Sequence, residues 1–316
     1  MLGEAVLSTP QRLLANAERV VLGKHEEIGL VLAALAAQGH VLLEDVPGTA
    51  KTILARAIAQ TIEGGTFSRI QCTPDLQATD VTGLSIYDQK AREFEFRPGP
   101  IFANVVLVDE INRAMPKTQS ALLEAMAERQ VTLEGSAQPL PDPFLVLATQ
   151  NPVEYEGTYP LPEAQLDRFL FKAVVRYPEP AEEIAILKAH DKGLPLADVA
   201  TLAPLEAGAL RDARAEIEAV TVEGSILEYI VRVVGESRRS PDVLLGASPR
   251  AAVHLLRAAK AAAAIEGRDY VTPDDVKSLV PAVLRHRLVL KAEAEIEGLD
   301  ADAVVRRILA RLDVPR

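Results

Sequence analysis

A lysine-containing loop directly after a strand pattern is the segment with the clearest potential for chemistry. The loop follows the apolar run HVLLE, precedes a helical pattern and reads Asp45-Val46-Pro47-Gly48-Thr49-Ala50-Lys51-Thr52. A phosphate-binding loop needs this context, because backbone N–H groups, a lysine and a helix N-terminus surround the anion while a hydroxyl can hold Mg²⁺. The pattern G-x-x-x-x-G-K-[ST] has glycine where Asp45 and Ala50 stand, so an ordinary turn with a surface lysine is the alternative interpretation.

Polar residues end two further strand patterns. Asp109 and Glu110 follow the apolar run VVLV, and Asn151 ends the segment LATQN. In phosphoryl transfer the first carboxylate could hold Mg²⁺, and the second could orient or deprotonate the attacking water. A capping carboxylate and a simple Asn-Pro turn are the alternatives. Because ligands bind at the carboxyl ends of strands in open α/β sheets, the three segments together predict one phosphate site.

The elements that must position these residues alternate between helix and strand patterns, which is typical of a parallel sheet with crossover helices. The pattern predicts strands at 40–44, 66–72, 105–109, 144–149 and 171–176. Helices are predicted at 9–21, with Thr9-Pro10 as its cap, and at 26–37, 52–61 and 116–129. Two interruptions, at 84–96 and at 130–140 with Gly135-Ser136 at its tip, predict hairpins.

Beyond residue 180 the strand patterns stop, which predicts two domains, 1–180 and 181–316. The second is predicted to be entirely helical, with helices at 181–192, 204–220, 224–238, 249–266, 273–287 and 301–313. Ser248-Pro249 and Thr272-Pro273-Asp274-Asp275 have the residue types of helix starts, the latter as a capping box.

Composition excludes several classes of protein. The 316 residues are 48% apolar and 25% charged, as in soluble globular proteins of about two domains. The net charge of −11 and the absence of tryptophan argue against a nucleic-acid partner. A single cysteine, Cys72, excludes an internal disulfide and fits a reducing compartment. The longest apolar run, 30–37, is too short to span a bilayer, so a cytoplasmic protein is expected, and the five histidines have no metal-ligand spacing.

Longer segments resemble a known family. They are GKHE, LLEDVPGTAKT, FRPGPIFANVVLVDEINRAMPKTQSALLEAMAE, LATQNP, LPEAQLDRF and GASPRA. This series covers nearly the whole chain and resembles the MoxR family of AAA+ ATPases. The resemblance implies a P-loop AAA+ α/β domain with a five-stranded parallel sheet, a helix 2 insertion and a hairpin before sensor 1, followed by an all-α lid domain.

The resemblance also implies residue roles in binding ATP and Mg²⁺. Lys51 and Thr52 match Walker A, Asp109 and Glu110 match Walker B, and Asn151 matches sensor 1. Arg168 matches an arginine finger that enters the neighbouring subunit's site, and Arg250 matches sensor 2; a surface salt bridge is the alternative for each. The implied metal ligands are Thr52 and Asp109, and the implied nucleotide-binding residues are Val21, Gly23, Val46, Pro47, Gly48, Thr49, Ala50, Lys51, Thr52, Ile53, Asp109 and Arg250.

Two of these assignments have further alternatives. The segment 20–23 matches an adenine-contacting region, although an apolar helix end explains it equally well. Arg113 could contact a neighbouring subunit or only solvent.

The function implied by the resemblance is ATP-driven remodelling of partner proteins by a homo-oligomer, expected to be a hexameric ring. ATP and Mg²⁺ are expected in a cleft between the domains, with the lid moving through Arg250. Separate partners with a von Willebrand factor A domain and a role in metal cofactor insertion are also implied. Three alternatives stay open: an ATPase subunit of a metal chelatase, a nucleic-acid motor, and a nucleotide-binding scaffold with little turnover.

Overall fold

The computed structural model of the chain describes residues 7–21, 24–45, 51–90, 92–133, 135–151, 157–175, 180–191, 199, 202, 204–206 and 208–315. The strands are β1 (Val41–Asp45), β2 (Phe67–Gln71), β3 (Gly83–Asp88), β4 (Glu93–Pro98), β5 (Val105–Asp109), β6 (Gln130–Leu133), β7 (Ser136–Pro139), β8 (Leu145–Gln150), β9 (Phe171–Val175), β10 (Val243–Leu245) and β11 (Val289–Leu290). The helices are α1 (Thr9–Glu18), α2 (His25–Ala36), α3 (Lys51–Thr61), α4 (Ala78–Thr82), α5 (Pro116–Glu128), α6 (Glu163–Leu166), α7 (Pro180–Asp191), α8 (Ala209–Ala219), α9 (Gly224–Arg239), α10 (Pro249–Ile265), α11 (Pro273–Leu284), α12 (Ala292–Ile296) and α13 (Ala301–Arg311).

Five strands form the central sheet in the order β2-β5-β8-β1-β9, and all neighbouring pairs are parallel. β5 is buried along its whole length, as expected for a strand covered on both faces. The predicted five-stranded parallel sheet is confirmed, with strand ends within one residue of the predicted positions. We refer to the side where these strands end as the carboxyl edge and to the opposite side as the amino edge.

Both predicted hairpins are present. β3 pairs antiparallel with β4, and β6 pairs antiparallel with β7. Gly135 lies in the second turn with a φ of +81°, a conformation that glycine adopts without strain, while Ser136 already belongs to β7. The first hairpin carries exposed aromatic rings, because Tyr87 and Phe94 are 49% and 66% exposed and stack edge to face with centroids 5.3 Å apart.

The region after α7 is mainly helical, with two corrections to the predicted elements. α8 begins at residue 209 rather than 204, because Gly208 adopts a left-handed φ of +88° that a right-handed helix does not admit. β10 and β11 pair where a wholly helical region was expected. Strands of two and three residues are too short to show a period-2 pattern in the sequence.

Helix starts follow the capping chemistry expected of serine and threonine. The N-cap of α1 is Ser8 rather than Thr9, since the Ser8 Oγ accepts a hydrogen bond from the Gln11 backbone N–H. The capping box at Thr272 and Asp275 is confirmed. Ser248 occupies the N-cap position of α10, but its hydroxyl makes no cap hydrogen bond.

One large apolar core joins the two parts of the chain. It contains Leu14 of α1 and Val31 of α2 together with Leu255 of α10 and Val283 of α11. A second core lies around α5 and the other face of the sheet. The predicted domain boundary near residue 180 adjoins residues 176–179, which lie outside the described residues, and it stays a prediction. Among the helices that the structure describes, we find none with the length and apolar character required to cross a membrane.

Candidate nucleotide-binding site

The carboxyl edge gathers the residues that the sequence predicts to act on phosphate. β5, β8 and β1 are adjacent and parallel, so their carboxyl ends lie side by side. Asp109 ends β5 and Glu110 follows it, while Asn151 follows β8 directly. Lys51 is the first residue of α3, the helix that comes after β1. The structure therefore brings the lysine, the two acids and the amide to the same edge of the sheet.

The phosphate-binding loop itself, residues 46–50, lies outside the described residues. Lys51, Thr52 and Ile53 form the first turn of α3 and are half-buried, at the helix end that carries partial positive charge. Val21 is 3% exposed and belongs to the apolar core, which fits the helix-end alternative, so its contact with adenine stays a prediction. The predictions for Gly23, Val46, Pro47, Gly48, Thr49 and Ala50 fall outside the described residues.

Asp109 is buried and both of its carboxylate oxygens have a partner. The Arg69 Nε donates a hydrogen bond of 2.7 Å to Oδ2, and the Thr149 Oγ1 donates one of 3.3 Å to Oδ1. Arg69 lies on β2, next to β5 in the sheet, and its side chain is 52% exposed. A cation that binds Oδ2 therefore competes with a guanidinium that is itself accessible to solvent.

Glu110 has a left-handed backbone, with φ 56° and ψ 51°. This conformation costs about 1–3 kcal/mol for a residue other than glycine and is concentrated at functional sites. The Glu110 N–H donates to the Thr149 Oγ1 at 2.9 Å, while its Oε2 lies 3.2 Å from the Arg113 Nε and accepts from the Gln71 Nε2 at 3.3 Å. Arg113, whose role the sequence left open, thus pairs with Glu110 of its own chain.

Thr149, Arg69 and Gln71 are residues that the sequence reasoning missed. Thr149 is 1% exposed, and its hydroxyl joins the Asp109 carboxylate to the Glu110 backbone. Arg69 and Gln71 could have been found because they are polar and alternate along a predicted strand. Alternate residues of a strand lie on one face of the sheet, so both could reach the acidic pair. The signal for Thr149 was a hydroxyl at the end of an otherwise apolar strand.

The oxygen donors present fit a magnesium ion that arrives with a triphosphate. Mg²⁺ is usually bound by one or two carboxylates together with substrate phosphates rather than by an all-protein cage. Asp109 and the Thr52 hydroxyl are donors of this kind. In the described part of the chain we find no cluster of three or more His, Cys, Asp or Glu side chains that could hold a metal alone.

Arg168 and Arg250 lie at the amino edge. Arg168 precedes β9, and its side chain lines a cavity of about 160 Å³ that is also lined by Arg250, Arg129, Arg257 and His254. The strands β1, β5 and β9 have five residues each, so roughly 16 Å, at about 3.3 Å per residue, separates the two edges. The structure thus does not bring Arg168 to the Lys51 and Glu110 of its own chain.

The position of Arg250 differs from the one expected for a residue that contacts nucleotide in its own subunit. Its Nη1 lies 3.8 Å from Oδ2 of Asp167, the residue before Arg168. This position at the amino edge argues against the expected contact with nucleotide in a cleft of its own subunit, although the Arg250 side chain is 58% exposed. A role toward a neighbouring subunit's nucleotide stays a prediction.

Comparisons with known proteins identify the family. A sequence model of the ATPase family associated with various cellular activities (AAA) matches residues 40–171, and an AAA lid domain model matches residues 235–308. Chaperone MoxR1 of Mycobacterium tuberculosis is 44% identical over 99% of this chain and 84% of its own length. The chain belongs to the MoxR family of AAA+ ATPases.

Other relatives agree with this MoxR assignment. The uncharacterized protein YeaC of Bacillus subtilis is 53% identical over 96% of this chain and 94% of its own. The crystal structure of a candidate ATPase from Cytophaga hutchinsonii has a TM-score of 0.88 and 39% identity, covering 98% of this chain and 95% of that one. Magnesium-chelatase subunits are more distant, at 28–30% identity. The fold with its lid is therefore that of the MoxR family.

Proposed function

We propose that this MoxR-family protein hydrolyses ATP and uses the reaction to remodel partner proteins. The observation that carries the proposal is the division of the predicted catalytic residues between two opposite edges of one sheet. Lys51, Asp109 and Glu110 lie at the carboxyl edge, whereas Arg168 lies at the amino edge. A complete site then needs the carboxyl edge of one subunit and the amino edge of the next.

At the carboxyl edge, Lys51 binds the β and γ phosphates, and Thr52 and Asp109 hold the metal. Glu110 orients the attacking water and accepts its proton, with Asn151 helping to fix the water's position. Mg²⁺, when bound, neutralises charge on the phosphate oxygens. The buried Thr149 hydroxyl keeps the two acids in fixed relative positions, which is the preorganisation that phosphoryl transfer depends on.

At the amino edge, Arg168 and Arg250 extend into the site of the neighbouring subunit, where Arg168 stabilises the charge that develops on the transferred phosphoryl group. Hydrolysis would then require assembly, and the hexameric ring implied by the family resemblance satisfies this requirement. The mass of the assembly with and without nucleotide, measured by light scattering, tests it.

Partner proteins are the proposed substrates of the remodelling step. The M. tuberculosis relative is named a chaperone, which supports this proposal. The exposed Tyr87 and Phe94 of the β3–β4 hairpin also offer an apolar contact to a client protein. Partners with a von Willebrand factor A domain, metal cofactor insertion and a cytoplasmic location are narrower proposals that rest on the family resemblance.

The test is steady-state ATP hydrolysis by the wild type and by Glu110→Gln with Mg²⁺. We expect turnover by the wild type and a loss of at least about 100-fold in the variant, because a positioned base contributes roughly 10² to 10⁴ in rate. Glu63→Gln, on the exposed turn after α3, is the matched control and should keep the wild-type rate. Equal, near-zero rates for wild type and Glu110→Gln would contradict the proposal and favour a nucleotide-binding scaffold.

A further inference from the structure

The side chain of Arg287, just beyond the end of α11, is buried, with 2% of its surface exposed. Its Nε donates a hydrogen bond of 2.7 Å to Oδ1 of Asp167. Its Nη1 and Nη2 donate to the backbone carbonyls of Asp167, Phe169 and Leu170. A buried guanidinium is unfavourable unless its charge and its N–H donors are satisfied. These contacts therefore fix Arg287 against residues 167–170, which we call the finger loop.

Arg168, in the middle of the finger loop, is held quite differently. Its guanidinium has no hydrogen-bond or ion-pair partner among the residues that the structure describes, and it lines the amino-edge cavity. The carbonyls before and after it, those of Asp167 and Phe169, accept hydrogen bonds from Arg287. The backbone of the loop is thus fixed by the lid, whereas none of the described residues fixes the guanidinium of Arg168.

The other oxygen of Asp167 also meets the lid. The Ser248 Oγ donates a hydrogen bond of 3.3 Å to Oδ2, and the Arg250 Nη1 lies 3.8 Å from the same atom. Ser248 and Arg250 are at the start of α10, and Arg287 is beyond the end of α11. One carboxylate therefore joins the finger loop to the ends of two lid helices.

Two neutral histidines complete the contacts. Burial, together with nearby arginine charges, lowers the pKa of His254 to about 3, so its Nδ1 can accept the hydrogen bond of 2.7 Å from the Arg287 Nη2. Burial also lowers the pKa of His286, whose Nε2 donates to the Phe169 carbonyl at 3.2 Å. The Phe169 carbonyl, next to Arg168, thus accepts from two lid side chains.

We propose that Asp167 and Arg287 are positioning residues that set, through the lid, the place from which Arg168 enters the neighbouring subunit's site. This inference rests on the proposed ATPase function and adds a route by which lid position controls hydrolysis next door. Asp167 exchanges no group with the substrate; it acts through Arg168. Its loss should therefore lower kcat while leaving the nucleotide site of its own subunit intact.

The first test is Asp167→Asn, measured for kcat and KM for ATP and for nucleotide affinity. We expect kcat to fall on the order of 10- to 100-fold, because small displacements of a catalytic group have effects of this size, with KM and affinity changed by less than about threefold. Asp275→Asn is the matched control. This change also removes one negative charge, from the buried ion pair of Asp275 with Arg268 at 2.5 Å within the lid. Because the described partners of the Asp275 carboxylate lie outside the finger loop, the variant should lower Tm without lowering kcat.

The second test separates positioning from general damage by mixing subunits. Glu110→Gln subunits carry an intact finger loop and an inactive site, whereas Asp167→Asn subunits carry an intact site and a displaced finger. Mixed assemblies should recover activity well above the mean of the two variants alone. Absence of recovery in verified mixed assemblies, or a wild-type kcat for folded Asp167→Asn, would overturn the inference.

Ser248→Ala covers the case in which Asp167→Asn does not fold. Because the Ser248 hydroxyl makes no cap hydrogen bond, this change removes its contact with Asp167 and leaves the start of α10 intact. We expect kcat to fall about two- to tenfold with KM unchanged, the size of one hydrogen bond, and an unchanged kcat would count against the inference. A wild type without Glu110-dependent hydrolysis contradicts the proposed function itself, whereas an active wild type with unaffected Asp167 and Ser248 variants contradicts only the positioning role.

Discussion

The carboxyl and amino edges of the sheet differ in charge and in construction. At the carboxyl edge the acids Asp109 and Glu110 are adjacent in sequence and are held by a few side chains of neighbouring strands. At the amino edge, arginines from α10, from the end of α5 and from the loop before β9 surround one cavity. The first edge has the acids of the proposed phosphate and metal site, whereas the second collects positive charge, as the proposed role toward a neighbouring subunit's phosphate requires.

In the proposed function, this chain therefore contributes two halves of different sites rather than one whole site. Different contacts position the two halves: the Thr149 hydroxyl bonds the acids at the carboxyl edge, and Arg287 bonds the backbone of the finger loop at the amino edge. A ring of identical subunits is the simplest way to join a carboxyl edge to an amino edge, because each subunit then completes its neighbour. Mixing experiments can therefore assign a residue to one edge or the other.

Arg168→Ala is expected to have the largest effect. An arginine supplied in trans is worth about 10³ to 10⁵ in rate in related phosphoryl transfers, so kcat should fall by about 10³ or more while ATP affinity is kept. Mixing with Glu110→Gln subunits should restore activity. Arg307→Ala, on an exposed lid arginine, is the control. A wild-type kcat for Arg168→Ala would contradict the proposed role of the amino edge in the neighbouring subunit's site.

Arg250→Ala tests whether Arg250 acts on the nucleotide of its own subunit or of the neighbouring one. If Arg250 acts from the amino edge, its variant should recover in the same mixture with Glu110→Gln subunits. If it acts on the nucleotide of its own subunit, the mixture should stay inactive.

Thr149→Val should have an intermediate effect, a fall in kcat of about tenfold or more, since hydrogen bonds to charged groups contribute roughly 1.5–3 kcal/mol. Valine keeps the shape but loses the hydroxyl that positions Asp109 and Glu110, and Thr149→Ser should restore most of the rate. Because Thr149 belongs to the same edge as Glu110, mixing the two variants should give no recovery. Recovery of activity would contradict the assignment of Thr149 to the carboxyl edge.

Acid should weaken the folded protein gradually, mainly through the amino edge. Burial lowers the pKa of His40 to about 4 and that of His254 to about 3, so between about pH 6.5 and 4 the unfolded chain binds protons that the native one does not. The free energy of unfolding should therefore fall as pH falls through this window, by at most about 1.4 kcal/mol per pH unit for each histidine. Urea unfolding at pH 7.5, 6 and 5 measures it.

His254→Gln should reduce the dependence on pH without abolishing it, because His40 and His286 are also buried with a lowered pKa. A free energy of unfolding that stays constant from pH 7.5 to pH 5 would contradict the prediction.

Most of the sheet and the acids at its carboxyl edge could be predicted from the sequence. Buried strands give continuous apolar runs, and the polar residues that end them must lie at one edge if the strands are parallel. The start of α8 and the β10–β11 pair were missed, because one depends on the backbone of Gly208 and the other on strands of two and three residues. The role of Arg69 could not be read from its own strand, because its partner Asp109 lies on the neighbouring strand β5.

The residue types of the proposed phosphate site and their order along the chain are local properties, because a loop, a strand end and a helix start are specified by local sequence patterns. The position of Arg250 beside Asp167 at the amino edge, and the hydrogen bonds of Arg287 to the finger loop, arise from the tertiary fold. Those contacts join residues 80 to 120 positions apart, and it is the packing of lid helices against the sheet, rather than any sequence period, that brings such distant segments together.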